Sequence, residues 1–365
     1  MQKFIPGLKL CEYFFLETIY PIIFERFPDL AYSAARLDWG SDVLGFDTPM
    51  SMDHGWGPRM TIFLTPQEYE DLHQQLDITF ANYLPFLIQG FPTHFGEPLS
   101  DGGVMEYRED YPIHHMVSIT TPEKFFTDYL GVDIHNPLSL TTWLTLPQQR
   151  LRTLRAGRIY HDGLGSLEIL REKFHWYPHD VWLYMMANQW RRIDQEEAFI
   201  GRTGSVDDEL GSRLIAASLI RDMMRLAMLM AKQYTPYTKW FGTAFGMLEL
   251  AAELTPLYLS ALDSQTWEKR ESYLSEAYIL LAEAHNKLDI TSMISPKVSG
   301  FHNRPFQVPH ASRFVEALLA QIRDPSVKAL PPNIGSVDQV VNNVDVLEHP
   351  SRCSKLRVLL DQPDP

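Results

Sequence analysis

Hydrophobic positions along this chain fall into two regimes. Over the first 130 residues short apolar runs alternate with turn-forming segments, whereas from about Phe174 to Lys287 they recur at helical spacing. Leu8 to Phe27 carries Phe15, Ile19, Ile22 and Ile23 at helical spacings and predicts a helix kinked at Pro21. Tyr32 to Leu37 predicts a strand, and Met60 to Leu64 a second. The latter ends at Thr65-Pro66, whose proline suits the first turn of a helix from Gln67 to Phe80. Between the two strands, Gly40 to Pro58 holds four glycines and two prolines, which predicts a shaped loop. Gly90 to Pro112 reads as irregular. His114 to Thr120 is a third strand, and Pro122 to Leu130 and Pro147 to Ala156 are helical pieces. In the later regime Leu183, Met186, Ala187 and Trp190, and then Leu219, Met223, Leu226 and Met230, mark the buried faces of a helix bundle. The polar, proline-containing tail from Pro325 is expected to be ordered where it packs on the body.

Composition narrows the class. The 365 residues are 45% hydrophobic and 21% charged, enough for a sizeable core and two domains. With 32 Lys+Arg against 46 Asp+Glu the net charge is −14, which argues against broad capture of nucleic acid or anionic membrane. Cys11 and Cys353 match neither a metal-binding spacing nor a disulfide framework, which fits a reducing setting. Without an apolar signal core or an apolar run of membrane-spanning length, the expectation is a soluble, cytoplasmic protein. Oligomeric state is not legible.

The candidate chemistry lies in Asp38-Trp-Gly-Ser-Asp-Val-Leu-Gly-Phe-Asp47 and Met52-Asp-His-Gly-Trp-Gly-Pro-Arg59. Together with Tyr32-Ser-Ala34, Gly157-Arg-Ile-Tyr-His-Asp-Gly-Leu-Gly165, Tyr177-Pro-His-Asp-Val-Trp182 and Tyr234-Thr-Pro-Tyr-Thr-Lys-Trp240, these segments resemble the bacterial and fungal family called domain of unknown function 4037. That family is similar to the kanamycin-type nucleotidyltransferases. The resemblance covers roughly residues 7 to 290 and implies an α+β fold, with a nucleotidyltransferase-like small mixed sheet and helices over 1–140. A helical bundle over 141–324 and the tail 325–365 would follow, with a cleft between the two domains.

It also implies roles. Gly40 and Ser41 would cradle the phosphates of a nucleoside triphosphate, with Arg59 and Lys239 as further nucleotide contacts. Asp53 would bind Mg²⁺, and a bundle carboxylate, Glu196, would serve as general base on an acceptor hydroxyl. Family members usually read Asp-His-Asp where this chain has Asp53-His54-Gly55, so the metal motif lacks a carboxylate. Two-metal phosphoryl transfer needs carboxylates to hold the cations that clamp the attacking and leaving oxygens. Asp42 and Asp47 are candidates to compensate, and are equally readable as loop caps. The strand through His115 to Thr121 offers no third carboxylate.

Other candidates for a substrate cleft are His54, His115, Tyr237 and Arg225. The histidines titrate near neutrality and suit proton transfer or a replacement metal site, or else simply fill a loop and a polar cleft. Arg225 shares a helix side with Arg221 and, eleven residues beyond Arg221, Lys232. Asp180 reads as the cap of the helix starting near Val181, and Glu196 and Glu197 also read as structural partners of Arg192 or Arg202. The leading expectation is transfer of a nucleoside monophosphate to a small-molecule hydroxyl. Metal-independent chemistry on an organic metabolite and a non-catalytic nucleotide-binding regulator are the alternatives.

Overall fold

The computed structural model describes residues 3–97 and 102–361. Part of the stretch read as irregular, residues 98–101, lies outside them, as do the first two residues and the end of the tail. The chain divides into two units, Met1–Pro137 with Arg150–His175, and Leu138–Gln149 with Trp176–Pro365. The first unit is therefore discontinuous and takes in 150–175, and the C-terminal segment belongs to the second unit.

A four-stranded mixed sheet organises the first unit. Its strands are β1 (Tyr32–Arg36), β2 (Arg59–Leu64), β3 (Met116–Thr120) and β4 (Arg158–Asp162), in the order β3-β2-β1-β4. β2 runs parallel to β3, with Arg59 opposite Met116, and antiparallel to β1, with Tyr32 opposite Leu64. β1 is also antiparallel to β4, with a register shift between Ala34 and Ala35. β1 and β2 are buried along their whole length, as central strands covered on both faces should be.

The first helix runs as α1 (Gly7–Phe14), a π turn at Phe15–Ile19, and α2 (Tyr20–Arg26). The kink expected at Pro21 is expressed in that π turn, where Tyr20 N–H reaches back five residues to Phe15 O. A proline two residues into the next segment has no N–H to contribute, so the widened turn costs the ladder little there. Leu10, Phe14, Phe15 and Ile19 are buried with Ala34, Ile62, Leu64 and Phe80 in one core. Helix α3 (Pro66–Tyr83) starts at a reciprocal cap: Thr65 Oγ1 accepts from Glu68 N–H at 3.2 Å, and the Glu68 carboxylate accepts from Thr65 N–H at 3.3 Å.

The second unit is helical. Its long elements are α8 (His179–Glu196), α10 (Glu209–Met230), α12 (Ala251–Asp263), α13 (Trp267–Lys287) and α14 (Ser312–Gln321). The shorter α4 (Pro122–Leu130) and α7 (Leu167–Glu172) belong to the first unit, and α5 (Leu140–Thr145), α9 (Phe199–Gly204) and α11 (Thr238–Phe245) to the second; α6 (Gln148–Ala156) begins in the second and continues into the first. Every apolar position expected to face the bundle core, from Leu183 to Trp190 and from Leu219 to Met230, is buried. Trp190 stacks on Phe314 with ring centroids 4.2 Å apart, which fixes α14 against α8. Among the described residues no helix is long and apolar enough to cross a membrane.

Candidate functional site

The loop that leaves β1 turns around two buried arginines. Arg36, the last residue of β1, pairs with Asp38 and places Nη2 3.4 Å from Asp42 Oδ2 and 2.7 Å from Trp39 O. Arg59, the first residue of β2, places Nη2 3.3 Å from Asp38 Oδ2, donates through Nη1 to Gly55 O, and lies over the Trp39 indole at 4.0 Å. Burial lowers the Arg59 pKa to about 9, with repulsion from Arg36 acting in the same direction, so it still carries its charge at neutral pH. Two guanidiniums and two carboxylates thus neutralise one another beneath the loop.

Gly40 sits directly on this cluster. Its φ is +137°, and a Cβ there would lie 1.9 Å from Asp42 Oδ1 and 3.1 Å from Arg36 Nη2, so only glycine fits. The turn is closed by Leu44 N–H to Gly40 O at 3.4 Å and Phe46 N–H to Ser41 O at 2.9 Å. Ser41 is half-buried. Gly40, Ser41 and Arg59 are thus brought into one corner of the first unit, but the Arg59 guanidinium is already taken up by Gly55, Asp38 and Trp39.

The metal motif can be tested against this geometry. Asp53 and His54 are exposed on the following loop. Gly55, where the second carboxylate would stand, has φ +64°, and a Cβ on it would meet Trp39 Cη2 at 2.1 Å and Arg59 Nη1 at 2.9 Å. Gly102 packs closely against both Gly55 and the Trp39 ring, and Gly55 N–H donates to Gly103 O at 2.8 Å. Asp47 accepts from Gly7 N–H at 2.7 Å and from Trp56 Nε1 at 2.9 Å, so it ties this loop to the start of α1. Asp42 is held by Arg36, and Asp162 on β4 accepts from Ser33 Oγ at 2.6 Å and from Glu168 N–H at 3.2 Å. Among the described residues no group of three His, Cys, Asp or Glu side chains is arranged to hold a metal ion. These residues do not fit a two-metal carboxylate centre.

The remaining candidates lie elsewhere. His115 is half-buried as a residue, but its side chain is packed in against α3, with Nε2 3.1 Å from Asp77 O and Nδ1 accepting from Val117 N–H at 3.2 Å; burial holds its pKa below the ordinary value. Glu196, Tyr237, Lys239 and Arg225 all belong to the second unit. Lys239 is exposed with its ammonium 5.1 Å from the centre of the Trp240 ring, and Lys232 sits 4.7 Å over the Trp182 ring. Tyr237 N–H donates to Gln149 Oε1 at 2.9 Å. Arg225 Nη2 donates to Asn342 Oδ1 at 3.0 Å, and Lys232 lies beyond the end of α10 at φ +51°, so the expected cationic stripe breaks up. Asp180 does not cap its own helix; it accepts from Arg323 and Asp324 N–H at 2.8 and 2.6 Å. Arg192 pairs with Asp222 at 3.0 Å rather than with either glutamate.

Glu197 is instead buried against α14, accepting from Ala311 N–H at 3.0 Å. Burial pushes its carboxyl from 4.5 up to about 7, outweighing that hydrogen bond, and burial does the same to Glu271 on α13. A carboxyl whose folded pKa is raised binds its proton more tightly in the fold, so its contribution is present below about 4.5 and is lost as pH rises through 7. The unfolding temperature is therefore expected to fall between about pH 4.5 and 7. Glu197→Gln, which keeps the acceptor for Ala311, is expected to flatten that slope; thermal unfolding across the range checks it, and an unchanged slope refutes it.

The sequence pattern left out Arg36 and gave no role to Asp38 and Trp39 at the head of the motif. The available signal was a charged residue, Arg36, ending an otherwise uncharged strand, which calls for a carboxylate close by.

The molecule is thus an α+β protein with a small mixed sheet, a glycine-dependent turn over a neutralised ion cluster, and a helical unit. Residues 143–241 match the family model described as Domain of unknown function (DUF4037), a span that includes the 157–165, 177–182 and 234–240 segments. No curated protein and no solved structure matches the chain.

Proposed function

We propose that this chain is a nucleotidyltransferase-like protein that binds a nucleotide, or a related phosphate, at the Gly40-Ser41 turn without carrying out two-metal nucleotidyl transfer. The observation that carries this reading is the packing around Gly55, where Trp39 and Arg59 fill the space a second carboxylate would need. The turn supplies a glycine of positive φ and a serine hydroxyl, the features that let a backbone approach phosphate oxygens. Because Arg36, Arg59, Asp38 and Asp42 cancel in charge, attraction for phosphate rests on those backbone donors and is modest. Trp39 stays 44% exposed beside the turn and offers an aromatic edge to a base or another flat group.

Calorimetric titration with ATP, GTP, CTP and UTP, each with Mg²⁺ and with a chelator, tests this. The expected result is binding that survives the chelator and weakens in Ser41→Ala, with no nucleotide adduct on any acceptor by mass spectrometry. Binding that requires Mg²⁺, or an adduct, would restore the transferase reading; turnover of an organic metabolite in chelator would point to metal-independent chemistry; no binding would remove the nucleotide altogether.

A further inference from the structure

The turn that joins α11 to α12 forms an open groove of about 770 Å³ on the second unit, lined by Met247, Leu248, Glu249, Ala252, Pro256 and Leu259 among others. It lies just beyond the 143–241 span that matches the family model. The turn is fixed by its own backbone: Met247 N–H donates to Ala244 O at 3.3 Å, Leu248 N–H to Phe245 O at 2.9 Å and Ala251 N–H to Leu248 O at 3.0 Å. Phe245 and Tyr258, both buried with ring centroids 5.9 Å apart, hold the end of α11 against α12. The groove is therefore a built feature with a rigid wall on each side.

One face of α12 is apolar although it meets water. Ala252, Pro256 and Leu259 stand at i, i+4 and i+7, Leu262 follows three residues on, and all four are exposed. Leu259 is 57% exposed, and Met247 in the same groove is 70% exposed. Single exposed leucines are ordinary, but a contiguous apolar row along a groove marks a place where another surface sits. Pro256 adds to this, because it lies inside the helix without an N–H to give, and Ala252 O loses its regular helical donor. The groove thus combines apolar contact area with spare acceptor capacity.

Charge selects the occupant. Glu249 lines the groove, Glu253 and Asp263 stand on the same helix as the apolar row, and none of these exposed carboxylates has an ion-pair partner among the described residues. The lysines on either side in sequence, Lys239 near the start of α11 and Lys269 near the start of α13, do not line it. A second copy docking about a two-fold axis would set these acids against themselves, on a chain already at −14, and nucleic acid or anionic membrane would be repelled in the same way. We propose that this groove docks an amphipathic helix of a partner protein, with apolar anchors against Met247 and Leu259 and Lys or Arg side chains toward Glu249, Glu253 and Asp263. The flexible thioether of Met247 adapts to the anchor, and the acids at the rim fix its orientation. This surface is independent of the Gly40-Ser41 turn and does not depend on the reading proposed for it.

The test uses the full chain and a pair of synthetic peptides of about 15 residues, long enough to hold a helix. Both carry leucines at i, i+4 and i+7, and they differ in having lysines or glutamates at the flanking positions. By fluorescence anisotropy the lysine peptide is expected to bind at least ~10-fold more tightly than the glutamate peptide. Met247→Gln with Leu259→Gln is expected to weaken it by about 10-fold, as loss of packed anchors does, and Glu249→Gln by about threefold. Because the whole chain is acidic, location counts as much as affinity, and hydrogen exchange in the wild type is expected to slow within 246–263 when the lysine peptide is added. That reading needs no substitution and stands if the double variant fails to fold. Equal binding of the two peptides, binding undiminished in a folded double variant, or exchange unchanged within 246–263 overturns the proposal. So does a concentration-dependent dimer in sedimentation that Leu259→Gln dissolves, which would assign the groove to a second copy.

Discussion

Gly55→Asp is expected to destabilise the first unit by about 2–3 kcal/mol and to leave its affinity for Mg²⁺ unchanged. The substitution places a carboxylate at the position where the expected metal motif would have its second acid, yet the space for it is filled. Gly55 sits at φ +64°, where a residue with a Cβ is strained, and that Cβ would fall 2.1 Å from Trp39 Cη2 and 2.7 Å from Cζ3. Trp39 cannot retreat freely, since Arg59 lies 4.0 Å from its ring and Gly102 packs against both the ring and the Gly55 backbone. The new carboxylate would also stand beside the Arg59 guanidinium, which would claim it before a cation could and would offset part of the steric cost. Urea unfolding and Mg²⁺ calorimetry check both halves. If the steric reasoning holds, Trp39→Ala added to Gly55→Asp relieves part of the loss. A Gly55→Asp protein as stable as wild type, or one that gains metal-dependent transfer, would sink the account of this corner.

The period of apolar residues made most helices and the two central strands legible, because burial on one helix face or on both sheet faces leaves a local mark. The capped start of α3 was equally plain in Thr65-Pro66. β4 was not legible as a strand: Arg158-Ile-Tyr-His-Asp162 lies at the sheet edge, half-exposed, and carries no clear alternation. Its pairing with β1 joins residues more than 120 positions apart, which no local pattern encodes, and the discontinuity of the first unit follows from it. The site shows the same division. The motif located the Gly40 turn, but the employment of its acids depends on distant partners. Asp47 holds Gly7 at the start of α1, forty residues earlier, and Asp42 faces an arginine on the preceding strand. In the second unit the partner of Arg225 was likewise beyond any local pattern, since Asn342 comes from the chain's C-terminal segment.

Arg36→Met is expected to cost the most of any single change in this corner, about 3–5 kcal/mol, because it strands a buried charge rather than merely deleting a contact. The Arg36 side chain is 1% exposed and faces two carboxylates, of which Asp42 is only 2% exposed. Asp38 would still have Arg59, at 3.3 Å, and is partly open to water, so its loss is tolerable. Asp42 would be left in the interior without its ion-pair partner. Removing that stranded charge should therefore help: Arg36→Met with Asp42→Asn is expected to recover more than half of the loss, although each single substitution destabilises. The double-mutant cycle from urea unfolding reads this coupling directly. Nucleotide binding should follow the same order, since the Gly40 turn rests on Asp42 and Arg36 and would slacken when the pair is broken. A double variant no more stable than Arg36→Met would mean that the cost lies in lost packing of the long side chain, and that the paired charges are not what holds the turn in place.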